Sequence, residues 1–389
     1  MLGGGAGDAR HEYGGVDVLI VGAGLIGLAS AFELAQRGAS VRVFDSHEPA
    51  MAASWAGAGM LAPFTEAPPS PELAAFCADS LARYPGFVCD LRGWNAGDPE
   101  LHLDGLLEVA YGAAESERLR ARVDALRARG VRAHWLDGQQ ARALEPALGP
   151  QVVGASLVED EGHVDNRRLG RALRAACVAR GVRVTTDVGA TAIEADGRRV
   201  RGLRTAQGFA TAPVIVNTAG AWAGTIEGVP SHAAAAVRPV KGQMFALAMP
   251  PGFVRRVVWF PGGYAVPRTD GRLLIGATVE EAGFDTRVTA EAMRSLLDAA
   301  LRAMPSIGAF ALVETWAGLR PGSADGLPFI GATSLDGYFV AAGHYRNGIL
   351  LTPSTATMVA DAVEGRALPA YAAAFSPKRR TAIACGAAR

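Results

Sequence analysis

Residues 16 to 45, VDVLIVGAGLIGLASAFELAQRGASVRVFD, constrain the fold more than any other stretch of the chain. The run is apolar enough to raise a membrane span, but a spanning helix needs about 20 apolar residues with few charges. Here Asp17 and Glu33 stand near the two ends, and Gly22, Gly24 and Gly27 interrupt the middle. A secretion signal requires a positively charged leader, whereas MLGGGAGDARHEYGG sets Asp8 and Glu12 against Arg10 and reads as a disordered tail. The letters fit the opening strand, helix and strand of a dinucleotide-binding domain. Val16, Val18, Leu19, Ile20 and Val21 make a short apolar run, as in a parallel strand covered on both faces. In the G-x-G-x-x-G that follows, Gly22 permits a tight turn, Gly24 lets a pyrophosphate approach the backbone, and Gly27 lets the helix pack on the strand. The free N–H groups and dipole of that helix then face the phosphates. The helical pattern runs from Leu28 to Gln36, Gly38 ends it, and VRVFD is a second strand. Asp45 closes that strand 18 residues after Gly27, where a carboxylate hydrogen-bonds ribose hydroxyls.

The 389 residues, 50% hydrophobic and 20% charged, suffice for two domains with substantial cores. Lys plus Arg equals Asp plus Glu at 38 each, so no global charge draws the chain to nucleic acid or anionic lipid. No second membrane candidate occurs. Cys77, Cys89, Cys177 and Cys385 form no C-x-x-C, so neither a zinc site nor a dithiol motif is written here, and no metal is expected. A reducing cytoplasm is the simplest compartment.

The rest alternates strands and helices. SPELAAFCADSLARY opens with Ser70 as N-cap and Pro71 at the first helical position. The arginines of ESERLRARVDALRARG are interleaved with Glu115, Glu117 and Asp124, the pattern of a solvated helix face. APVIVNTAGAW reads as a buried strand whose TAG end either approaches a nucleotide or is an ordinary turn. From 237 to 278 short strands separated by turn residues indicate a second, antiparallel sheet, followed by the helix AEAMRSLLDAALRAM. A reductase using both FAD and NAD(P)H normally shows a second glycine fingerprint; none is found, so one nucleotide, FAD or NAD, remains.

The segments ASWAGAGMLAP (53 to 63), GHVDNRRL (162 to 169), VRPVKGQM (237 to 244), GGYAVPRTDGRLLIGATVEEAGFD (262 to 285), WAGLRPGSADGLPFIG (316 to 331) and GHYRNGILLTPSTA (343 to 356) decide which. In order and spacing they resemble the FAD-dependent D-amino-acid oxidase superfamily, and most of all glycine oxidase of the thiamine-biosynthesis (ThiO) type. The resemblance covers about residues 16 to 370. It implies an α/β flavoprotein, with a Rossmann-like parallel-sheet domain for FAD and an α+β substrate domain built on an antiparallel sheet. The expected division is 14–87, 150–235 and 321–375 for FAD, 88–149 and 236–320 for substrate, and 1–13 and 376–389 as disordered tails. By the same resemblance, Leu25 and Ile26 lie at the pyrophosphate turn with Gly22, Gly24 and Gly27, Asp45 and Ser46 near the ribose, and Val188 near the adenine. Ala53, Ser54, Ala58, Gly59 and Met60 match the loop that passes the flavin. His344, Tyr345, Arg346, Asn347, Gly348, Ile349 and Leu350 match the segment along its pyrimidine edge.

An arginine on its own is most often a surface ion-pair partner; the motif context reverses that for two of them. Arg320 in GLRPG matches the family's carboxylate-binding arginine, a role that suits its planar fork. Arg346 in HYRNG matches a second arginine touching substrate and flavin. Tyr264 in GGYAVPR matches a tyrosine at the substrate carboxylate, and Met60 completes the catalytic set. Thr352 and Pro353 are expected as N-cap and first position of a helix ending before Gly365, its positive end either facing the reduced flavin or meeting only water.

The implied reaction is hydride transfer from substrate Cα to flavin N5, giving an imino acid, with dioxygen then returning hydrogen peroxide. No His, Asp or Glu stands out as a general base, and a neutral amine needs none. Relatives of the dimethylglycine type tether the ring through a histidine after a similar tryptophan, where this chain has Ala56 after Trp55; sarcosine-oxidase relatives use a cysteine near GHYRNGILL, which has none. Non-covalent FAD is expected, and the family often forms homotetramers. Gly57, Gly262 and Gly263 leave room, so sarcosine, small D-amino acids and another electron acceptor stay open beside glycine and oxygen.

Overall fold

The computed structural model describes residues 11–13, 15–66 and 68–379. The remaining parts of the expected tails, 1–10 and 380–389 with Cys385, lie outside the described residues. Among the described residues no helix is long and apolar enough to cross a membrane.

Two sheets position everything that matters to the site. The first has six strands in the order Arg183–Thr185, Val41–Phe44, Val18–Val21, Val214–Asn217, Tyr338–Ala342 and Phe329–Ala332. Its first five strands are parallel and only Phe329–Ala332 runs the other way. The strand Val18–Val21 is wholly buried, which explains why its letters do not alternate between apolar and polar. On one face the helix Leu25–Gln36 packs against the helices Asn166–Ala179 and Thr352–Val363. Strand order reverses between Val18–Val21 and Val214–Asn217, and the crevice beyond such a switch point is where open α/β sheets bind ligands.

The second sheet has eight strands, in the order Leu312–Ser323, Val237–Ala248, Arg272–Gly276, Gly263–Pro267, Val257–Phe260, Leu106–Ala110, Gly154–Val158 and Ala133–Asp137. All its pairings are antiparallel except that of Leu106–Ala110 with Val257–Phe260. The helix Ala290–Ala303 covers one face with Leu296, Ala300 and Ala303. Its two longest strands, Val237–Ala248 and Leu312–Ser323, run 12 residues each, paired continuously from Val237 with Ser323 to Ala246 with Glu314.

Several local expectations need correction. The strand Gly154–Val158, inside a stretch expected on the nucleotide side, belongs to the eight-stranded sheet, where a side chain at Gly154 would sit 2.3 Å from the Trp135 ring. His11–Tyr13, expected in the N-terminal tail, pairs with Gly208–Ala210, and the Tyr13 ring meets Phe44 edge-on at 5.2 Å. At the other end Arg379 pairs with Asp325 at 2.8 Å. The last long helix has Leu351 rather than Thr352 as N-cap and no side-chain cap; the Thr352 hydroxyl donates to Gly348 O at 2.9 Å instead. Ser70 does cap the helix Pro71–Gly93, accepting from Leu73 N at 3.1 Å.

Candidate active site

At the switch point the glycine turn closes tightly. Gly22 has φ +101°, and a Cβ there would lie 2.7 Å from Thr218 O. A Cβ on Gly27 would lie 1.9 Å from Gly22 O, so the helix reaches the strand only because Gly27 lacks one. Thr218, at the end of the neighbouring parallel strand, places its hydroxyl 2.8 Å from Val21 O and Gly22 O. The TAG end therefore does belong to the nucleotide turn, and Thr218, Ala219 and Gly220 line the cavity there. Gly24 caps the helix without a side chain of its own, and Ser54 supplies the missing oxygen, accepting from Leu25 N at 3.0 Å. Asp45 accepts from Ala23 N at 2.6 Å and from His47 N at 3.0 Å. Burial raises the Asp45 pKa against those two bonds.

From this turn a cavity of about 360 Å³ runs to the eight-stranded sheet. Every residue expected to touch cofactor or substrate lines it, except Gly27 and Val188. Gly27 acts through packing, and Val188 lies buried with its N–H on Asp45 O at 2.9 Å, while Gly189 and Ala190 form the adjacent wall.

The loop 53–60 crosses the cavity and is held from outside. Asn166 Nδ2 donates to Ser54 O at 2.7 Å and to Trp55 O at 3.1 Å, and Trp316 Nε1 donates to Ala56 O at 2.9 Å. Arg268, buried, donates from Nη2 to Ala58 O at 2.7 Å and to Asn166 Oδ1 at 3.0 Å. Its Nη1 lies 3.2 Å from His163 Nδ1, and burial beside that guanidinium keeps His163 neutral. Gly59, at φ +72°, has no room for a Cβ, which would meet Val164 O at 1.9 Å. The segment from His344 to Leu350 is fixed by the helix Pro71–Gly93: Ser80 Oγ donates to Leu350 O at 2.7 Å, and the Tyr84 hydroxyl donates to Ile349 O. Burial drives the His344 pKa down to about 3, so its neutral ring pairs with Thr355 Oγ1 at 3.1 Å.

Where the cavity meets the eight-stranded sheet, the strands Leu312–Ser323, Val237–Ala248 and Gly263–Pro267 bring Arg320, Met244 and Tyr264 to one wall. Arg320 Nη1 donates to Thr278 O at 3.1 Å and Lys241 O at 3.3 Å. Gly242 makes this possible, because a Cβ there would lie 2.3 Å from Arg320 Nη1. Among the described residues neither Arg320 nor Arg346 has a carboxylate within 4.0 Å, so the donors of Arg346, and those of Arg320 not bound to the two carbonyls, are open to an anion. Tyr264 is buried, its hydroxyl 3.9 Å from Met244 Sδ; burial raises its pKa, and the charges of Arg320 and Arg346 oppose that. Glu66 also borders the cavity. Burial raises its carboxyl to about 7 despite the pull of Arg346 and Arg320.

Sequence reasoning passed over several of these groups. Asn166 and Arg268 stood inside quoted motifs without a role, Gly242 differs from other strand glycines only in what opposes it, and Glu66 sits in a turn, PFTEAPP, with no local signature.

A glycine-turn cradle whose cavity continues to Arg320 and Arg346 is the arrangement of an enzyme that uses a dinucleotide cofactor. The FAD dependent oxidoreductase (DAO) family model matches residues 17–362, and the chain belongs to that family. It is 37% identical over 370 residues to the bifunctional protein ThiO/ThiG of Synechocystis sp., covering 93% of this chain and 54% of that relative, so it spans about half of the relative's length. It is 34% identical to the glycine oxidase of Pseudomonas putida, covering 93% of this chain and 98% of that one. The crystal structure of glycine oxidase from Geobacillus kaustophilus superposes with a TM-score of 0.89 at 35% identity, over 94% of this chain and 99% of that one. The cradle fits FAD: its turn admits no Cβ at Gly22, its helix offers the first-turn N–H groups that Ser54 does not cap, and its loop 53–60 continues the cavity toward the arginines.

Proposed function

We propose that this flavoprotein oxidises glycine, or an amine of nearly the same size, to the imine with dioxygen as electron acceptor. The observation that carries the reading is the free pair of guanidiniums, Arg320 and Arg346, beside Tyr264 at the far end of a dinucleotide cradle. Bound FAD supplies the two-electron oxidation of the amine and returns the electrons to dioxygen as hydrogen peroxide. Arg320 is anchored by two backbone carbonyls and presents its remaining donors to the substrate carboxylate. Tyr264, kept protonated, donates a hydrogen bond on the same side. Arg346 adds a second positive charge on the carboxylate side, and the substrate amine reacts in its neutral form after its proton passes to water. Met60 and Met244 fill the apolar remainder and keep the reacting carbon in place.

The imine hydrolyses to glyoxylate and ammonia or passes to thiazole formation, which makes thiamine biosynthesis the proposed role, in line with relatives that carry the ThiO name. The reading includes FAD held without a covalent bond, a two-domain division near the boundaries expected above, a homotetramer and a cytoplasmic location. The test is anaerobic addition of glycine, sarcosine, D-alanine and D-proline in turn to the yellow holoenzyme, then air. Bleaching by glycine with recovery in air supports the reading, and bleaching by another amine alone replaces the substrate. Bleaching by glycine without recovery in air replaces dioxygen by a carrier. Arg320→Ala should raise the KM for glycine at least tenfold while FAD stays bound.

A further inference from the structure

Glu66 takes no part in the reaction described above, yet it lines the same cavity as Arg320 and Arg346, and the charges of both act on its carboxyl. We propose that Glu66 determines specificity by limiting the pocket to substrates with one carboxylate, and so excludes dicarboxylic amino acids and amines. The proposal rests on the amine-oxidase reading and deepens it. Arg320, Arg346 and Glu66 line the same cavity, and above about pH 7, where Glu66 is ionised, their charges sum to one positive unit. A single carboxylate balances that unit. A second carboxylate adds an uncompensated negative charge in a site of low dielectric, which is unfavourable.

Glu66 opposes the arginines without pairing with them. Among the described residues its carboxylate has no hydrogen-bond partner and no cation within 4.0 Å, so it leaves the donors of both arginines free. Its placement is built in. Phe64 N and Thr65 N donate to Glu161 Oε1 at 2.6 and 2.9 Å, and Glu66 N donates to Ala62 O at 3.1 Å, which pins the turn on both sides of the wall. The groups that face Glu66 are Arg346, Arg320, the neutral Tyr264 and the neutral Cys77 thiol behind it. His344 also lines the cavity but carries no charge at neutral pH. Only Glu66 among them titrates near neutrality, at about 7. Selectivity for one carboxylate over two therefore weakens as pH falls through about 7 and the net charge rises from one to two.

The test uses the FAD holoenzyme and two unreactive probes, acetate and malonate, with binding read from the flavin visible spectrum. In Glu66→Gln, malonate should tighten about tenfold more than acetate, equivalent to about 1.4 kcal/mol. In the wild type the malonate-to-acetate affinity ratio should rise from pH 8.5 to pH 6.5, and this change should vanish in the variant. Equal tightening of the two probes, or a ratio that does not move with pH in the wild type, overturns the proposal. The pH series needs no variant, so it decides the matter if Glu66→Gln does not fold. Glycine turnover by the wild type is measured in parallel: turnover with an unmoved ratio sinks the role of Glu66 alone. A moved ratio without glycine turnover sinks the choice of substrate and leaves Glu66 in place.

Discussion

Gly242→Ala offers the sharpest test of how the carboxylate site is built. The added methyl would lie 2.3 Å from Arg320 Nη1, 2.5 Å from Nη2 and 2.6 Å from Cζ. Ordinary contact begins near 3.4 Å, so the guanidinium must retreat by about 1 Å. Its bonds to Thr278 O and Lys241 O, at 3.1 and 3.3 Å, do not survive such a shift. A hydrogen bond to a charged group is worth about 1.5–3 kcal/mol, and a misplacement of about 1 Å costs on the order of 100-fold in rate. The expected result is a fall of about 10- to 100-fold in kcat/KM for glycine, measured by oxygen uptake. The Tm should change little, because replacing a glycine in a strand interior offsets part of the stability lost with the two carbonyl bonds. Flavin absorbance per mole of protein should match the wild type. A variant with unchanged kcat/KM would show that Arg320 does not hold the carboxylate from this position.

Other perturbations test other parts. Gly27→Ala, which in an ordinary helix gains about 1 kcal/mol, should instead abolish FAD retention, seen as colourless protein, because its methyl meets Gly22 O at 1.9 Å. Arg268→Met should weaken FAD binding more than tenfold and lower the Tm while the KM for glycine of the remaining holoenzyme changes little, since Arg268 touches the loop carbonyl and not the substrate wall. Burial raises the Glu161 carboxyl from 4.5 to about 7 against its bonds to Thr65 and Phe64. The folded chain then holds a proton that the unfolded chain releases, so this contribution to stability is present below pH 4.5 and lost as pH rises through 7; Glu161→Gln should flatten the fall of Tm over that window. Acid denaturation followed by ultrafiltration should pass the yellow cofactor into the filtrate; colour retained on the protein would refute non-covalent attachment.

The nucleotide half was readable because its information is local. Gly22, Gly24, Gly27 and Asp45 stand within one strand-helix-strand unit, and the structure brings them to one turn. The substrate wall was reachable only through whole motifs: Tyr264 and Arg320 are 56 residues apart, and nothing in the periodicity of either strand sets them beside each other. What stayed hidden was pairing at long range. Arg268 reads as a turn arginine until the fold buries it against Ala58, and Glu66 reads as a loop acid until two distant arginines face it. Tyr13 was lost to the tail because its partner strand lies nearly two hundred residues away, beyond any windowed pattern.

The loop 53–60 can change its lining without changing its course. Its path is written in Asn166, Arg268 and Trp316, which hold the carbonyls of Ser54, Trp55, Ala56 and Ala58, and among its own side chains in Ser54 and Trp55, which meet Leu25 N and the Trp316 ring. Backbone carbonyls are the same whatever residue carries them. Substitutions at Ala53, Gly57 or Met60 can therefore resize the chamber while the frame around it keeps its contour, and a lineage can explore new amines without first relearning how to seat its cofactor.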